Sequence, residues 1–267
     1  MAVFADISVD KELLSLCESN AKCLIEHCSI SADGSAPLKN AHGEPWVATP
    51  GNDRSDLHLK VYCSKEPDSK LLRWVGVCKF PKTKCYELMT FLQNFEKRGQ
   101  WDPNCTVVET HVLYEWAAAN SNGTSSSNNP KNAMKLLRCE TPAMGPISAR
   151  DFVDINYIRH DLDEQGNITA VLSCGGVTPA LDAYQKKHCP TLFPELSGIV
   201  RGLTSGGSGW YLPQDRDPVS KELLDSCTLY YVIHSDIKGW LPTVLINNTV
   251  GGTFAQFFEK LKEVLAK

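Results

Sequence analysis

The sequence predicts an α+β fold in which a curved antiparallel sheet of about nine strands closes around one long C-terminal helix. Three patterns carry that expectation. Strand-like runs follow one another without the regular alternation of helix and strand, which argues against a Rossmann or barrel architecture. An amphipathic stripe opens the chain. A wide apolar stripe at helical spacing ends it.

The opening stripe runs from Asp10 to Cys28 through Leu13, Leu14, Cys17, Ala21, Leu24 and Ile25, with Ser8 or Asp10 available as the cap. A Gly/Pro/Ser/Asn-rich link, Ser31 to Pro45, follows it. Leu57–Cys63 alternates as a half-buried strand, and Leu71–Phe80 is apolar on both faces, with Pro67–Lys70 as the turn between them. Lys84–Phe95 switches to helical spacing. Strand patterns resume at Thr106–Trp116, Ala133–Glu140, Arg150–His160, Asn167–Cys174, Gly198–Ser205 and Thr228–Ser235. Two long connections interrupt them. Residues 117–132 are Ser/Asn-rich and are expected to be a flexible insertion. Pro179–Ser197 is expected to be a lid or Ω-loop. Ser205-Gly-Gly-Ser-Gly209 reads as a hairpin turn leading into Trp210-Tyr-Leu212. The last helix begins near Pro242 and carries Val244, Leu245, Val250, Phe254, Phe257, Phe258, Leu261, Val264 and Leu265. Gly251-Gly252 in its middle costs roughly 2 kcal/mol against alanine, so a packing or hinge reason is expected.

The chain of 267 residues reads as a single domain, residues 1–267, with its core over about 9–266. Its 42% apolar and 22% charged residues exclude wholesale disorder, and a net charge of −4 without a Lys/Arg block excludes an electrostatic nucleic-acid surface. No basic n-region precedes an apolar run at the N-terminus, and no window suits a membrane span, so a cytoplasmic location is expected. Eleven cysteines occur without one Cys-x-x-Cys pair, which suits reduced core residues. Cys17, Cys23, His27 and Cys28 match no common zinc spacing, so neither a metal nor a cofactor is expected. The Gly-rich turn is neither a P-loop nor a nucleophile elbow, and His188-Cys189 lacks a third partner for hydrolysis.

Four blocks, in order, resemble the steroidogenic acute regulatory protein-related lipid transfer (START) domain family. They are Gln100-Trp-Asp-Pro-Asn104, Ile147-Ser-Ala-Arg-Asp-Phe-Val153, Pro194-Glu-Leu-Ser-Gly-Ile-Val-Arg201 and His234-Ser-Asp-Ile-Lys-Gly-Trp-Leu-Pro-Thr-Val-Leu-Ile-Asn-Asn248. The chain departs from the pattern at Ala149, where proline is usual, in the Ser/Asn-rich insertion, in the long Pro179–Ser197 loop and in an extended Pro213–Asp225 connection. The resemblance implies a helix-grip fold around a lipid tunnel closed by the last helix. It also implies intracellular lipid binding and transfer by a monomer in transient contact with a membrane surface, with no covalent chemistry.

The resemblance further implies site residues. Arg98 and Asp102 match a charged pair that reaches the cavity in phospholipid- and ceramide-transfer domains; by spacing alone they are an ordinary i,i+4 helical pair. Tyr231 matches a cavity tyrosine, or is a plain strand aromatic. Asn156 stands where sterol carriers place a buried arginine, which favours a phospholipid over a sterol. Met144, Trp240 and Leu241, with the Gly251-Gly252 pair, form the expected membrane contact or gate. The alternatives are a cyclase-like enzyme on the same fold, with Asp154 and His234 as acid and base, and a sterol carrier or sensor.

Overall fold

A computed structural model describes residues 10–29, 39–105, 107–143, 147–239 and 242–266. In chain order the elements are α1 (Lys11–His27), β1 (Val47–Ala48), β2 (Leu59–Ser64), β3 (Arg73–Pro81), α2 (Cys85–Leu92), β4 (Val107–Ala117), β5 (Lys131–Thr141), β6 (Arg150–Leu162), β7 (Ile168–Gly175), α3 (Pro179–His188), β8 (Val200–Arg201), β9 (Leu203–Thr204), β10 (Ser208–Arg216), β11 (Leu223–Ile233), β12 (Ser235–Asp236) and α4 (Thr243–Leu265). Nine strands form one antiparallel path, β1-β2-β3-β11-β10-β7-β6-β5-β4, with β8 added parallel to β6. Register shifts at Val112/Tyr114, Asp161/Leu162 and Gln214/Arg216 interrupt the ladders, as bulges that bend a sheet do.

Both faces of the sheet are covered, so its central strands carry apolar residues on both faces. On one face Val75, Val153, Ile155, Tyr230 and Val232 pack with Leu13, Cys17, Ala21 and Leu24 of α1. On the other Trp74, Phe80, Trp210, Leu212 and Leu229 pack with α2 and with Phe254, Phe257, Phe258 and Leu261 of α4. Asp10 caps α1, accepting from the N–H groups of Glu12 (2.9 Å) and Leu13 (3.2 Å). Asn20, buried on α1, donates to the Gly175 carbonyl (3.0 Å) and accepts from the Gly207 N–H (2.6 Å), joining the end of β7 to the turn before β10. Helix α4 sits on β3 at Gly76, where a Cβ would stand 2.6 Å from both the Phe254 and the Phe258 rings. Near its start, Asn247 accepts from the Leu72 N–H at 3.1 Å.

Three connections differ from expectation. Residues 179–188 form α3, capped by Thr178 and tied to α1 by Tyr184 Oη donating to Asp10 at 2.6 Å; Pro179 occupies the first turn of a helix, where its missing N–H costs nothing. Strands β10 and β11 run into the expected Pro213–Asp225 connection, through residues 213–216 and 223–225. Pro213 is accommodated because the β10–β11 pairing is interrupted between Tyr211 and Gln214. Residues 118–130 close the β4–β5 hairpin with hydrogen bonds of their own, Ala118 N–H to Pro130 (2.8 Å) and Asn120 N–H to Thr124 (2.8 Å). Asn and Ser fold this stretch locally without a core.

Candidate functional site: a cavity between sheet and C-terminal helix

A cavity of about 270 Å³ lies between the inner face of the sheet, the 3-10 turn Phe95–Gln100 and the first half of α4. Ile246, Thr249, Val250 and Thr253 of α4 form one wall, and β5, β6, β7, β10 and β11 supply the others. All four residues expected to bind the ligand, Arg98, Asp102, Asn156 and Tyr231, line it.

Arg98 leaves the 3-10 turn and bonds Asp102 through Nε and Nη2, each 2.9 Å from Oδ2. The pair is buried, with side chains 11% and 5% exposed, so it is not the exposed helical pair that spacing alone suggests. The guanidinium lies 5.3 Å from the centre of the Trp210 ring and 5.8 Å from that of Trp101. Burial works against the arginine's charge, but the Asp102 carboxylate outweighs it and holds Arg98 protonated. Asp102 also accepts from the Asn104 N–H at 3.1 Å, which fixes its rotamer.

Tyr231 packs against Phe257 (4.9 Å), Phe254 (5.1 Å) and Trp210 (6.1 Å). Burial, then the Asp102 charge, raise its phenol above the ordinary range. Asn156 meets the Ser173 hydroxyl through both ends of its amide (3.1 and 3.2 Å), and that hydroxyl accepts from Gln93 at 2.8 Å.

The cavity holds residues that sequence reasoning did not assign to ligand binding, among them Cys105, Cys139, Arg150 and Thr204. Asp154 had been named only as a possible catalytic acid. Its signal was present in the strand: Phe152, Asp154 and Asn156 alternate with Val153, Ile155 and Tyr157, which face the α1 core. Burial raises the Asp154 carboxyl to about 7, against the lowering effect of the nearby Thr204 hydroxyl and Gly176 N–H.

Asp154 and His234 are not brought together. His234 lies outside the cavity wall, with Ser205 Oγ 2.7 Å from Nδ1 and Ser69 Oγ 3.2 Å from Nε2. Gly251 and Gly252 also lie off the cavity lining. A Cβ on Gly251 would fall 2.5 Å from Asn52 Nδ2 and 3.1 Å from Trp74 Cζ3, whereas one on Gly252 would meet nothing within 4 Å. Met144, Trp240 and Leu241 lie outside the described residues.

Cys23 and His27 from the set weighed in the sequence, joined by His42 from outside it, offer three ligand atoms within 4.8 Å of one another. The hydrogen bonding is poorly suited to a cation. The Ala41 N–H donates to His27 Nδ1 (3.0 Å), so the neutral ring carries its proton on Nε2, the atom 3.5 Å from Cys23 Sγ. Burial, then the nearby Arg73, hold His27 neutral, with its pKa down at about 2.

Among the described residues, no helix is long and apolar enough to cross a membrane. The family model described as START domain matches residues 37–267. The steroidogenic acute regulatory protein of Xenopus laevis is 25% identical over 212 residues, covering 76% of this chain and 58% of that protein. The chain thus spans less than two thirds of the curated relative it matches. Among solved structures, human StAR-related lipid transfer protein 5 superposes with a TM-score of 0.63 at 17% identity, covering 94% of each chain. A fragment of the STAR-related lipid transfer protein of Xanthomonas axonopodis does so with a TM-score of 0.54 at 19% identity, over 83% of this chain and 99% of that one. At these identities the likeness is one of fold.

Proposed function

The chain belongs to the START domain family, and on that footing we propose that it binds one lipid per molecule in this cavity and carries it between membranes. In this reading it is a cytoplasmic monomer that touches membranes transiently through Met144, Trp240 and Leu241, and it catalyses no covalent step. The StAR-related lipid transfer protein of like fold supports the lipid-carrying part by its name.

The ligand is a phospholipid rather than a sterol. The observation that carries this choice is the buried Arg98–Asp102 pair on the cavity wall. Removing two charges from water costs several kcal/mol per ion before their attraction is counted, and an uncharged lipid gains nothing from meeting them. A phosphate does: Asp102 takes Nε and Nη2, which leaves the Nη1 donors for a charge-assisted bond. The Trp210 ring, 5.3 Å from the guanidinium, helps hold that edge in place.

A cavity of about 270 Å³ is just below the roughly 300–1,000 Å³ of sites for drug-sized ligands. A two-chain lipid therefore enters only as the wall moves outward, and α4 is the wall made by a single element.

The test is Arg98→Met. Phospholipid transfer between vesicles should fall at least tenfold. The melting temperature should fall too, because Asp102 is left buried without its partner, and the double variant Arg98→Met/Asp102→Asn, which removes both charges, should recover the melting temperature without recovering transfer. Undiminished phospholipid transfer, with sterol carried equally well, would remove the phospholipid reading. Organic extraction that yields no lipid, together with no uptake from vesicles, would remove lipid binding altogether.

A further inference from the structure

Asp154 is a further ionisable group in the cavity wall, besides Arg98, Asp102, Arg150 and Tyr231, and nothing in the phosphate-binding reading uses it. Its carboxyl is enclosed by protein, with the Thr204 hydroxyl and the Gly176 N–H nearby. Oδ1 receives no hydrogen bond from any described residue. The arginines nearby are committed elsewhere: Arg201 grips Asp151 through two bonds of 2.8 Å, Arg98 grips Asp102, and Arg150 donates to the carbonyls of Ser148, Ile237 and Lys238. On the same wall stand Asn156 and Ser173, already bonded to each other, and the Gly175-Gly176 backbone. This patch is polar but holds no uncommitted cation, and the aromatic rings of Phe152, Tyr231, Phe254 and Phe257 line the same cavity.

A buried acceptor that the fold leaves unmatched costs about as much as a lost hydrogen bond, so a ligand group that completes it gains selectivity as well as affinity. A quaternary ammonium head has no N–H or O–H to offer. An alcohol donates and accepts, and so fits a carboxyl in either protonation state without burying a second charge.

We propose that Asp154 seats an alcohol group of the bound lipid, so that the preferred ligand carries a hydroxylated polar head. This rests on the lipid-binding reading and adds to it the chemistry of the head group.

The test compares uptake from vesicles of phosphatidylglycerol and of phosphatidylpropanol with the same acyl chains. The two carry the same single negative charge and differ in the head-group hydroxyls. Wild-type protein should favour phosphatidylglycerol about fivefold to tenfold, the value of one buried hydrogen bond. Asp154→Ala should bring the ratio close to one without losing phosphatidylpropanol uptake, and Asp154→Asn, which still donates and accepts, should keep most of it. Because the wild-type comparison varies only the lipid, it decides the matter even where a variant folds poorly. Equal uptake of the two lipids by wild type overturns the proposal, as does a preference that survives in Asp154→Ala. A preference for phosphatidylethanolamine that Asp154→Asn abolishes would assign the carboxyl to an ammonium instead. If wild type takes up no lipid of any kind, lipid binding itself fails and this assignment falls with it.

Discussion

The two glycines in the middle of α4 should respond oppositely to alanine. Gly252 is exposed, and a Cβ there meets nothing within 4 Å. Gly252→Ala should therefore gain the helix propensity difference of about 1 kcal/mol, or roughly 2–4 °C in a domain of this size. Gly251 is different. Its added methyl would stand 2.5 Å from Asn52 Nδ2, 3.0 Å from Asn52 Cγ and 3.1 Å from Trp74 Cζ3. The Asn52 amide can swing away, but the indole sits in the core and cannot. Overpacking of this kind costs about 1–3 kcal/mol; set against the propensity gain, the expected net change is a loss of about 1 kcal/mol. Thermal melts followed by circular dichroism, run beside vesicle-to-vesicle transfer rates, separate packing from hinge. Packing at 251 predicts a lower melting temperature for Gly251→Ala. A hinge at 252 predicts slower transfer for Gly252→Ala in a more stable protein. Equal melting temperatures for the two variants would show that the close approach to Trp74 does not constrain the helix.

Two further outcomes concern stability. Burial lifts the Asp154 carboxyl to about 7 from the ordinary 3.8, so between those values the folded chain keeps a proton that the unfolded chain has released. Its effect on stability is therefore most favourable on the acid side and declines as pH rises, by about 1.4 kcal/mol per pH unit; Asp154→Asn should exceed wild type by about 2–4 kcal/mol in denaturant melts at pH 8 and lose that advantage near pH 4. Asn20→Ala should cost about 2–3 kcal/mol by the same melts, since it leaves the Gly207 N–H and Gly175 carbonyl without their partner; a loss under 0.5 kcal/mol would mean the clamp is dispensable.

The main outline of the fold was legible because apolar periodicity is a local signal. The run Leu71–Phe80 reads as a strand buried on both faces, and it is one, with Val75 toward α1 and Trp74 toward α4. The elements that were misread are those where proline or glycine marks a break that tertiary pairing overrides. Pro213 stands inside β10, and Pro179 starts a helix. Arg98 and Asp102 were legible only through resemblance, because an i,i+4 pair looks the same whether it faces water or a cavity. What no single-chain pattern conveys is the space between elements. Asp154 alternates like any solvent-facing strand residue, and only the closing of α4 over β6 and β7 converts that face into an interior one.

The seat of α4 on Gly76 restricts how the cavity can open. Two phenyl rings rest directly on bare backbone there, flanked by the side chains of Trp74 and Cys78 on the same face of β3. Sliding the helix along the strand would drive a ring into one of those side chains, so translation is blocked in both directions. The half of α4 beyond Gly251 behaves as a fixed pivot. The half before it, which carries Ile246, Thr249 and Val250 over the cavity, is latched to the β2–β3 connection by Asn247 at Leu72. On the lipid-carrying reading, which requires the cavity to open, the motion is therefore angular, a door turning on aromatic pins with one amide as its catch. A lever of this form makes the passage widest at the end farthest from the pivot, the end at which the chain enters the helix.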